Sequence, residues 1–476
     1  MKSHCYLAAL VVLVLITAQL AFGTALEDYV QAPDANYGYK LANTVTGKGY
    51  TGYVLDMTSQ CWRNKNEVDR PLWQHWLIII KPDNASGNKA LLWINGGSNG
   101  GPVPNFVDPI LRRIALMSNT VVADLRMVPN QPLKFSDDDR QRSEDAIIAY
   151  TFDKYIETGD ETWPVLLPMV KSAVRAMDTI ERFIFFSSKR KLDINQFIVS
   201  GGSKRGWTTW LTAAVDSRVI AIMPLIIDVL NMDEQMKHHF SVYGFYAPAI
   251  RDYKDMNIFE RMNTPEGQEL LKIVDPYEYR SGITIPKYIV NSSGDQFFVP
   301  DSAQFYFHDL KGEKYLRYVP NTDHGLDASD TPFSMLAFYR SVLADSARPR
   351  FAWALKDDKI AVWQISGVPT AVNLWQATTT KARDFRRETI GRAWKSSALT
   401  DQGGGVYIGE VAEPKEGWTG FFVEMIYDSG TDFPYKFTTQ VHVVPQRLPF
   451  ADKLSFDDVD LEGVPALLRS NIADKP

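Results

Sequence analysis

The strongest constraint on this chain is a rhythm that begins at Trp73, where short apolar runs alternate with amphipathic segments. Leu77–Ile80, Ala90–Ile94 and Thr120–Leu125 read as strands, residues 170–183 as a helix, and residues 197–200 as a further strand. Strands at residues 219–227, 287–291 and 315–319, with helices over 207–215 and 332–344, continue the alternation. Apolar runs without a polar face require cover on both sides, so the pattern predicts an α/β fold: a mostly parallel sheet of about eight strands between two helical layers. Residues 231–282 break the rhythm with a polar, aromatic and helix-prone stretch, longer than the usual connection between strands, and are expected to form a lid above the sheet.

Beyond Arg350 the spacing shortens to strand-like runs separated by Gly, Pro and Asp turns, which predicts a C-terminal β-sandwich over residues 350–450. The break at Ala347-Arg348-Pro349-Arg350 closes an α/β domain of residues 24–346, and residues 451–476 form a tail. At the other end, Lys2 precedes an apolar run from Tyr6 to Thr17 and the small residues around Ala21 and Gly23, the layout of a secretory signal peptide over residues 1–23. That run is too short for a membrane span. A secreted, extracellular protein is expected.

Removal of that leader takes Cys5 with it and leaves Cys61 as a lone thiol, so no internal disulfide is expected. His75, His238, His239, His308, His324 and His442 show no metal-ligand spacing, and His238-His239 reads as a solvated helix face; no metal and no cofactor is expected. A formal charge of −6 argues against a general nucleic-acid binder. Asn84-Ala85-Ser86 is a glycosylation sequon in a turn. A second match at Asn291 directly follows a buried strand and is discounted.

Chemistry concentrates in Phe197-Ile198-Val199-Ser200-Gly201-Gly202-Ser203-Lys204-Arg205-Gly206-Trp207, where a strand runs through a glycine-flanked serine into a helix. This is the layout of a nucleophile elbow, whose glycines relieve collisions across a sharp turn. The fit is incomplete, since Arg205 stands where a strict G-x-S-x-G would place glycine. The alternative is a tight turn with Ser203 as a helix cap. Two later strand ends supply the remaining groups in α/β-hydrolase order: Asp295 after residues 287–291, and His324 after residues 315–319. Ser203, Asp295 and His324 are therefore the candidate catalytic residues, with Asp228 as reserve acid. Trp93-Ile94-Asn95-Gly96-Gly97-Ser98 follows an earlier strand, so the N–H of Lys204 with that of Gly97 or Ser98 is the candidate oxyanion hole. Lys204 and Arg205 are expected to cap surface carboxylates. Most of Trp207, Trp210, Phe297 and Phe298 are expected in the core.

Several of these strings together resemble the PhoPQ-activated pathogenicity-related proteins and their secreted eukaryotic relatives, the autocrine proliferation repressors. The resemblance rests on Thr58-Ser59-Gln60-Cys61-Trp62, Arg70-Pro71-Leu72-Trp73-Gln74-His75, Leu92-Trp93-Ile94-Asn95-Gly96-Gly97 and Ser203-Lys204-Arg205-Gly206-Trp207-Thr208-Thr209-Trp210. Val319-Pro320-Asn321 with His324, Leu374-Trp375-Gln376-Ala377 and Arg383-Asp384-Phe385-Arg386 extend it. It implies an α/β-hydrolase fold with a C-terminal β domain, treats Arg205 as a variant of the elbow, and leaves the substrate open. Two functions are expected on these grounds: a secreted serine hydrolase acting on an ester or peptide, or a signal that represses proliferation through a cell-surface receptor without needing catalysis. A third reading makes Trp375 or Trp418 part of a glycan-binding surface.

Overall fold

The computed structural model describes residues 23–187 and 191–453; the expected leader, up to residue 22, and the tail from residue 454 lie outside the described residues. Nine strands form the body of the sheet: β1 (Gly38–Gly47), β2 (Tyr50–Cys61), β3 (Leu72–Pro82), β4 (Lys89–Ile94), β5 (Val121–Leu125), β6 (Gln196–Gly202), β7 (Val219–Leu225), β8 (Lys287–Ser292) and β9 (Lys314–Val319). Their order is β1-β2-β3-β5-β4-β6-β7-β8-β9. The first three are antiparallel to their neighbours, and all pairings from β5 to β9 are parallel.

Side chains alternate between two cores along each strand, as a two-residue period requires. Phe197 and Val199 enter one core with Val170, Met177, Trp210 and Leu211 of the helices Leu166–Ser187 and Lys204–Val215. Ile198 enters the other, with Leu111 and Ile114 of Pro109–Ser118 and Phe338 of Thr331–Leu343. Every residue of β5 and β8 is buried, including the polar Asp124 of β5 and Lys287, Asn291 and Ser292 of β8, as cover on both faces of the sheet requires. This covered parallel sheet, with β5 and β4 exchanged in order and the connections between strands made by helices, is the α/β-hydrolase fold.

The sheet is wider than the eight or so strands expected, because strands from the C-terminal region join it. Tyr435–Thr438 pairs with β9 through Leu316 and Thr438, Trp418–Tyr427, Ala371–Thr379 and Lys395–Ala398 continue outward, and His442–Val444, paired with Trp418–Tyr427, brings the sheet to fourteen strands among the described residues. A separate sheet of Arg350–Lys356, Lys359–Ser366 and Val406–Glu410 packs Ile360, Val362 and Tyr407 against Leu374, Phe421 and Val423 of the first. The C-terminal strands thus form two facing layers, one continuous with the central sheet. Periodicity reveals strands but not which edge they extend.

The stretch between β7 and β8 folds into short helices, Met232–Tyr243, Arg251–Asp255, Ile258–Arg261 and Pro265–Val274. His238 and His239 are buried here, a correction to the solvated face expected of them. His238 Nε2 lies 2.9 Å from Asp301, which also accepts from Arg383 at 2.7 Å, so the lid, a hydrolase loop and the C-terminal region meet at one buried carboxylate. His239 accepts from the Ala247 N–H at 3.0 Å, and burial pushes its pKa down to about 3. The loop covers the His238 side of the helix and the lid's own turn the His239 side, while Glu234 stays exposed. Among the described residues, no helix is long and apolar enough to cross a membrane.

Candidate active site

β6 ends in Gly201-Gly202, and the chain reverses into the helix Lys204–Val215 at Ser203, which adopts φ 57° and ψ −126°. A serine held in this region is strained. The turn is tight enough that a Cβ on Gly201 would sit 2.8 Å from the Arg205 carbonyl oxygen, and one on Gly206 would sit 2.8 Å from the Leu225 carbonyl oxygen. Both glycines are therefore steric requirements. Ser203 makes no side-chain capping bond to its helix, unlike the alternative read from sequence.

Instead, its Oγ lies 2.9 Å from His324 Nε2. His324 Nδ1 lies 2.9 and 3.0 Å from the two oxygens of Asp295, a bifurcated contact that leaves Nε2 facing the serine. Asp295 is buried and accepts the Phe297 N–H at 2.8 Å. Gln296 accepts the backbone N–H of His324 at 2.9 Å, and the Phe297 ring lies 4.2 Å from the imidazole, so the loop after β9 is tied to the loop after β8. A hydroxyl, an imidazole and a carboxylate at these distances can relay a proton away from a nucleophilic oxygen.

Asp228, the reserve acid, is placed elsewhere. It is buried, and the hydroxyls of Tyr306 and Tyr318 donate to it at 2.6 and 2.5 Å. Burial raises its pKa to about 7, against the two tyrosine bonds, with the charges of Asp295 and Asp301 adding to the rise. A carboxyl raised in the folded state stabilises the fold fully below its ordinary value and loses that contribution as pH rises through about 7. Asp228→Asn, which mimics the neutral acid, is expected to gain stability relative to the parent between pH 5 and pH 8, read from urea midpoints at both pH values. No gain in the variant's midpoint over the parent's on going from pH 5 to pH 8 would contradict a buried charge at Asp228.

The expected caps of surface carboxylates are a different structure. Lys204 and Arg205 are buried, and Arg205 grips Glu144 through two bonds of 2.7 and 2.6 Å while its Nε donates to the Val128 carbonyl at 2.5 Å. Lys204 Nζ lies 2.7 Å from Asp145, which also accepts from Tyr253 at 2.9 Å. Burial alone would raise the pKa of Glu144; Arg205, Gln131 and Lys204 instead hold it down at about 2. Glu144 itself adopts φ 56° and ψ −127°, nearly the backbone of Ser203, at the start of the helix Asp145–Thr158. Glu144, Asp145 and Gln131 escaped the sequence reading. The one available signal was the acidic pair Glu144-Asp145 set against the basic pair Lys204-Arg205.

Arg205 also explains the first glycine of the loop after β4, since a Cβ on Gly96 would sit 2.5 Å from its Nη2. Gly97 takes φ 124°, a conformation that favours glycine. Gly97 and Ser98 are exposed. Among the described residues, no acceptor takes the N–H of Gly97, Ser98 or Lys204, whereas the Gly96 N–H is spent on the Asn95 side chain at 2.9 Å. Asn84 is exposed, while Asn291 is buried inside β8. Trp418 is buried with its indole N–H on the Arg447 carbonyl, and half-buried Trp375 donates to Glu424 at 3.0 Å.

Fold and site together define a protein of the α/β-hydrolase class with a serine, a histidine and an aspartate converging at the carboxyl ends of its central strands. The chain belongs to the PhoPQ-activated pathogenicity-related protein family, whose profile matches residues 26–386. It is 37% identical over 473 residues to autocrine proliferation repressor protein A of Dictyostelium discoideum, covering 93% of this chain and 94% of that protein. Solved structures similar to it include acetyl xylan esterase 1 from Thermoanaerobacterium sp., at 14% identity and a TM-score of 0.46 over 68% of this chain and 92% of that one. The glucuronoyl esterase from Solibacter usitatus follows at 13% identity and a TM-score of 0.38, over 67% and 90% of the respective chains.

Proposed function

We propose that this protein is a secreted serine hydrolase that cleaves an ester or amide through an acyl-enzyme. The observation that carries this is the 2.9 Å contact between Ser203 Oγ and His324 Nε2, on a histidine whose other nitrogen is held by buried Asp295. Ser203 attacks the substrate carbonyl as His324 takes its proton, and Asp295 fixes the imidazole tautomer and stabilises its cation. The unspent N–H groups of Lys204 and of Gly97 or Ser98 receive the developing oxyanion. Collapse breaks the bond to the leaving group, which takes the proton from His324, and a water activated by the same histidine then releases the acyl group. No cofactor or metal enters these steps.

Purified protein assayed on chromogenic esters and peptide anilides is expected to hydrolyse at least one class, with Ser203→Ala inactive on it. A well-folded parent without turnover on either panel would contradict the reading.

A second reading has its own support in the 37% identity to a protein named as an autocrine proliferation repressor, together with the apolar leader-like run from Tyr6 to Thr17. In it the chain is an extracellular signal, glycosylated at Asn84, acting at a cell-surface receptor. The Ser203→Ala protein separates the two when added to cells of the source organism. Repression of proliferation equal to the parent's assigns that effect to receptor binding; its loss assigns the effect to hydrolysis.

A further inference from the structure

We infer that Asn95 and Asp124 are positioning residues, which hold the loop after β4 in the form that leaves the N–H groups of Gly97 and Ser98 free for a substrate oxyanion. The inference rests on Ser203 being the nucleophile. β4 and β5 pair in parallel with Ile94 opposite Leu125, so the two strands end together. Asn95 uses that junction with its backbone and side chain alike. Its N–H donates to the Leu125 carbonyl at 2.7 Å, its carbonyl accepts from Val128 at 3.1 Å, its side-chain oxygen accepts the Gly96 N–H at 2.9 Å, and its side-chain nitrogen donates to Asp124 at 3.2 Å. Gly96 in turn accepts the Met127 N–H at 2.8 Å. The chain is caught again at Asn99, whose N–H donates to the Gln131 carbonyl at 2.5 Å and whose side chain donates to the Pro132 carbonyl at 3.3 Å. Gly97 and Ser98 are the residues left between these anchors, and their N–H groups, which no acceptor takes among the described residues, are oriented by the bonds on either side.

Asp124 is the costly member of the arrangement. It is a carboxylate only 1% exposed in a strand of otherwise apolar residues, and burial raises its pKa against the pull of Arg126 and Asn95. Such a group is tolerated inside a sheet when hydrogen bonds replace its water. Two do so: one oxygen accepts from Asn95, the other from Arg126 Nε at 2.7 Å. The carboxylate thereby decides how the Asn95 amide is turned, nitrogen toward Asp124 and oxygen toward Gly96. Turned the other way, two acceptors would meet at Asp124 and two donors at Gly96. Donors to an oxyanion act through their fixed direction, so a loop that can rotate its peptides loses much of their effect.

The test exchanges the two side chains. In Asn95→Asp/Asp124→Asn the carboxylate moves to the loop and the amide to β5, which keeps the bonds to Gly96 and Arg126 and the bond between the pair, at unchanged net charge. Asn95→Asp alone sets two carboxylates against each other, Asp124→Asn alone sets donor against donor on one side or the other, and Asn95→Ala removes the acceptor for Gly96 while leaving Asp124 to Arg126. The readout is labelling by a fluorophosphonate, whose phosphoryl oxygen takes the place of the oxyanion, followed over probe concentration to separate maximal rate from half-saturating concentration, with urea midpoints as the check on fold. Each single variant is expected to lose roughly tenfold or more in maximal rate with its half-saturating concentration within about threefold of the parent's, and the exchanged pair to recover a large part of the rate. Parental labelling rates in Asn95→Ala and Asn95→Asp, or a folded exchanged pair no faster than the single variants, would overturn the positioning role while leaving Ser203 as nucleophile. Should the exchanged pair not fold, Asn95→Ala decides alone. A folded parent that takes up no probe would overturn both.

Discussion

Ser203→Ala is expected to lower kcat/KM on the protein's best ester by at least about 10³-fold, roughly 4 kcal/mol of transition-state stabilisation. His324→Gln should cost about as much, because a hydroxyl without its base is a poor nucleophile at neutral pH. Groups that act as one unit lose their contribution together, so the Ser203→Ala/His324→Gln double variant should be no worse than either single one. Asp295→Asn is informative in a different way. It preserves the shape at a site where the carboxylate contacts His324 Nδ1 through both oxygens, but presents an amide that favours the wrong imidazole tautomer. None of the three should unfold the protein. Ser203→Ala removes only a hydroxyl, and the chain turn that holds it is set by Gly201 and Gly206. A common loss of activity in all three variants, with unchanged urea midpoints, is the expected result; additive losses in the double variant would contradict a shared proton relay.

The largest expected effect on stability lies at Arg205. Arg205→Met keeps much of the side-chain length but leaves Glu144 and the Val128 carbonyl without the guanidinium that bridges them. Breaking a fully buried pair costs about 3–5 kcal/mol; because Glu144 is partly exposed and water can reach it, the expected loss is about 2–3 kcal/mol. Arg205→Lys should not restore it, since one ammonium cannot supply the two-pronged contact to Glu144 and the bond to Val128 at once. Labelling of Ser203 should also slow, as Arg205 lies under Gly96 and joins the elbow to the loops after β4 and β5. Denaturation of Arg205→Met, Glu144→Gln and the double variant measures the coupling directly. Equal stability of all four proteins would mean that the pair contributes nothing.

What the sequence disclosed and what it hid follow from how far each signal reaches along the chain. The nucleophile turn was legible because strand, glycines, serine and helix are contiguous, and Asp295 and His324 because each follows a strand of its own. Chain order ranks Asp295 ahead of Asp228 as candidate acid; the contacts that agree with that ranking arise because β8 ends beside β9, which sets Asp295 against His324 and leaves Asp228 to Tyr306 and Tyr318. Glu144 was invisible because its partner is 61 residues away and nothing local marks a carboxylate that will be gripped by an arginine. Burial of His238 was misread for the same reason. Its helix is polar in sequence, and the cover comes from Asp301 and Arg383, at separations of 63 and more residues. The C-terminal strands were recognised by their spacing, whereas their union with the central sheet depends on an edge pairing between Leu316 and Thr438 that no local pattern encodes.

Ser203 as an activated nucleophile is the claim on which the rest depends, and the most direct measurement is labelling of the purified protein with a fluorophosphonate followed by mass-spectrometric mapping of the adduct. The account predicts one adduct per chain, located on Ser203, absent in Ser203→Ala and strongly slowed in His324→Gln. A folded parent that takes up no probe, or takes it up at another residue, would contradict it.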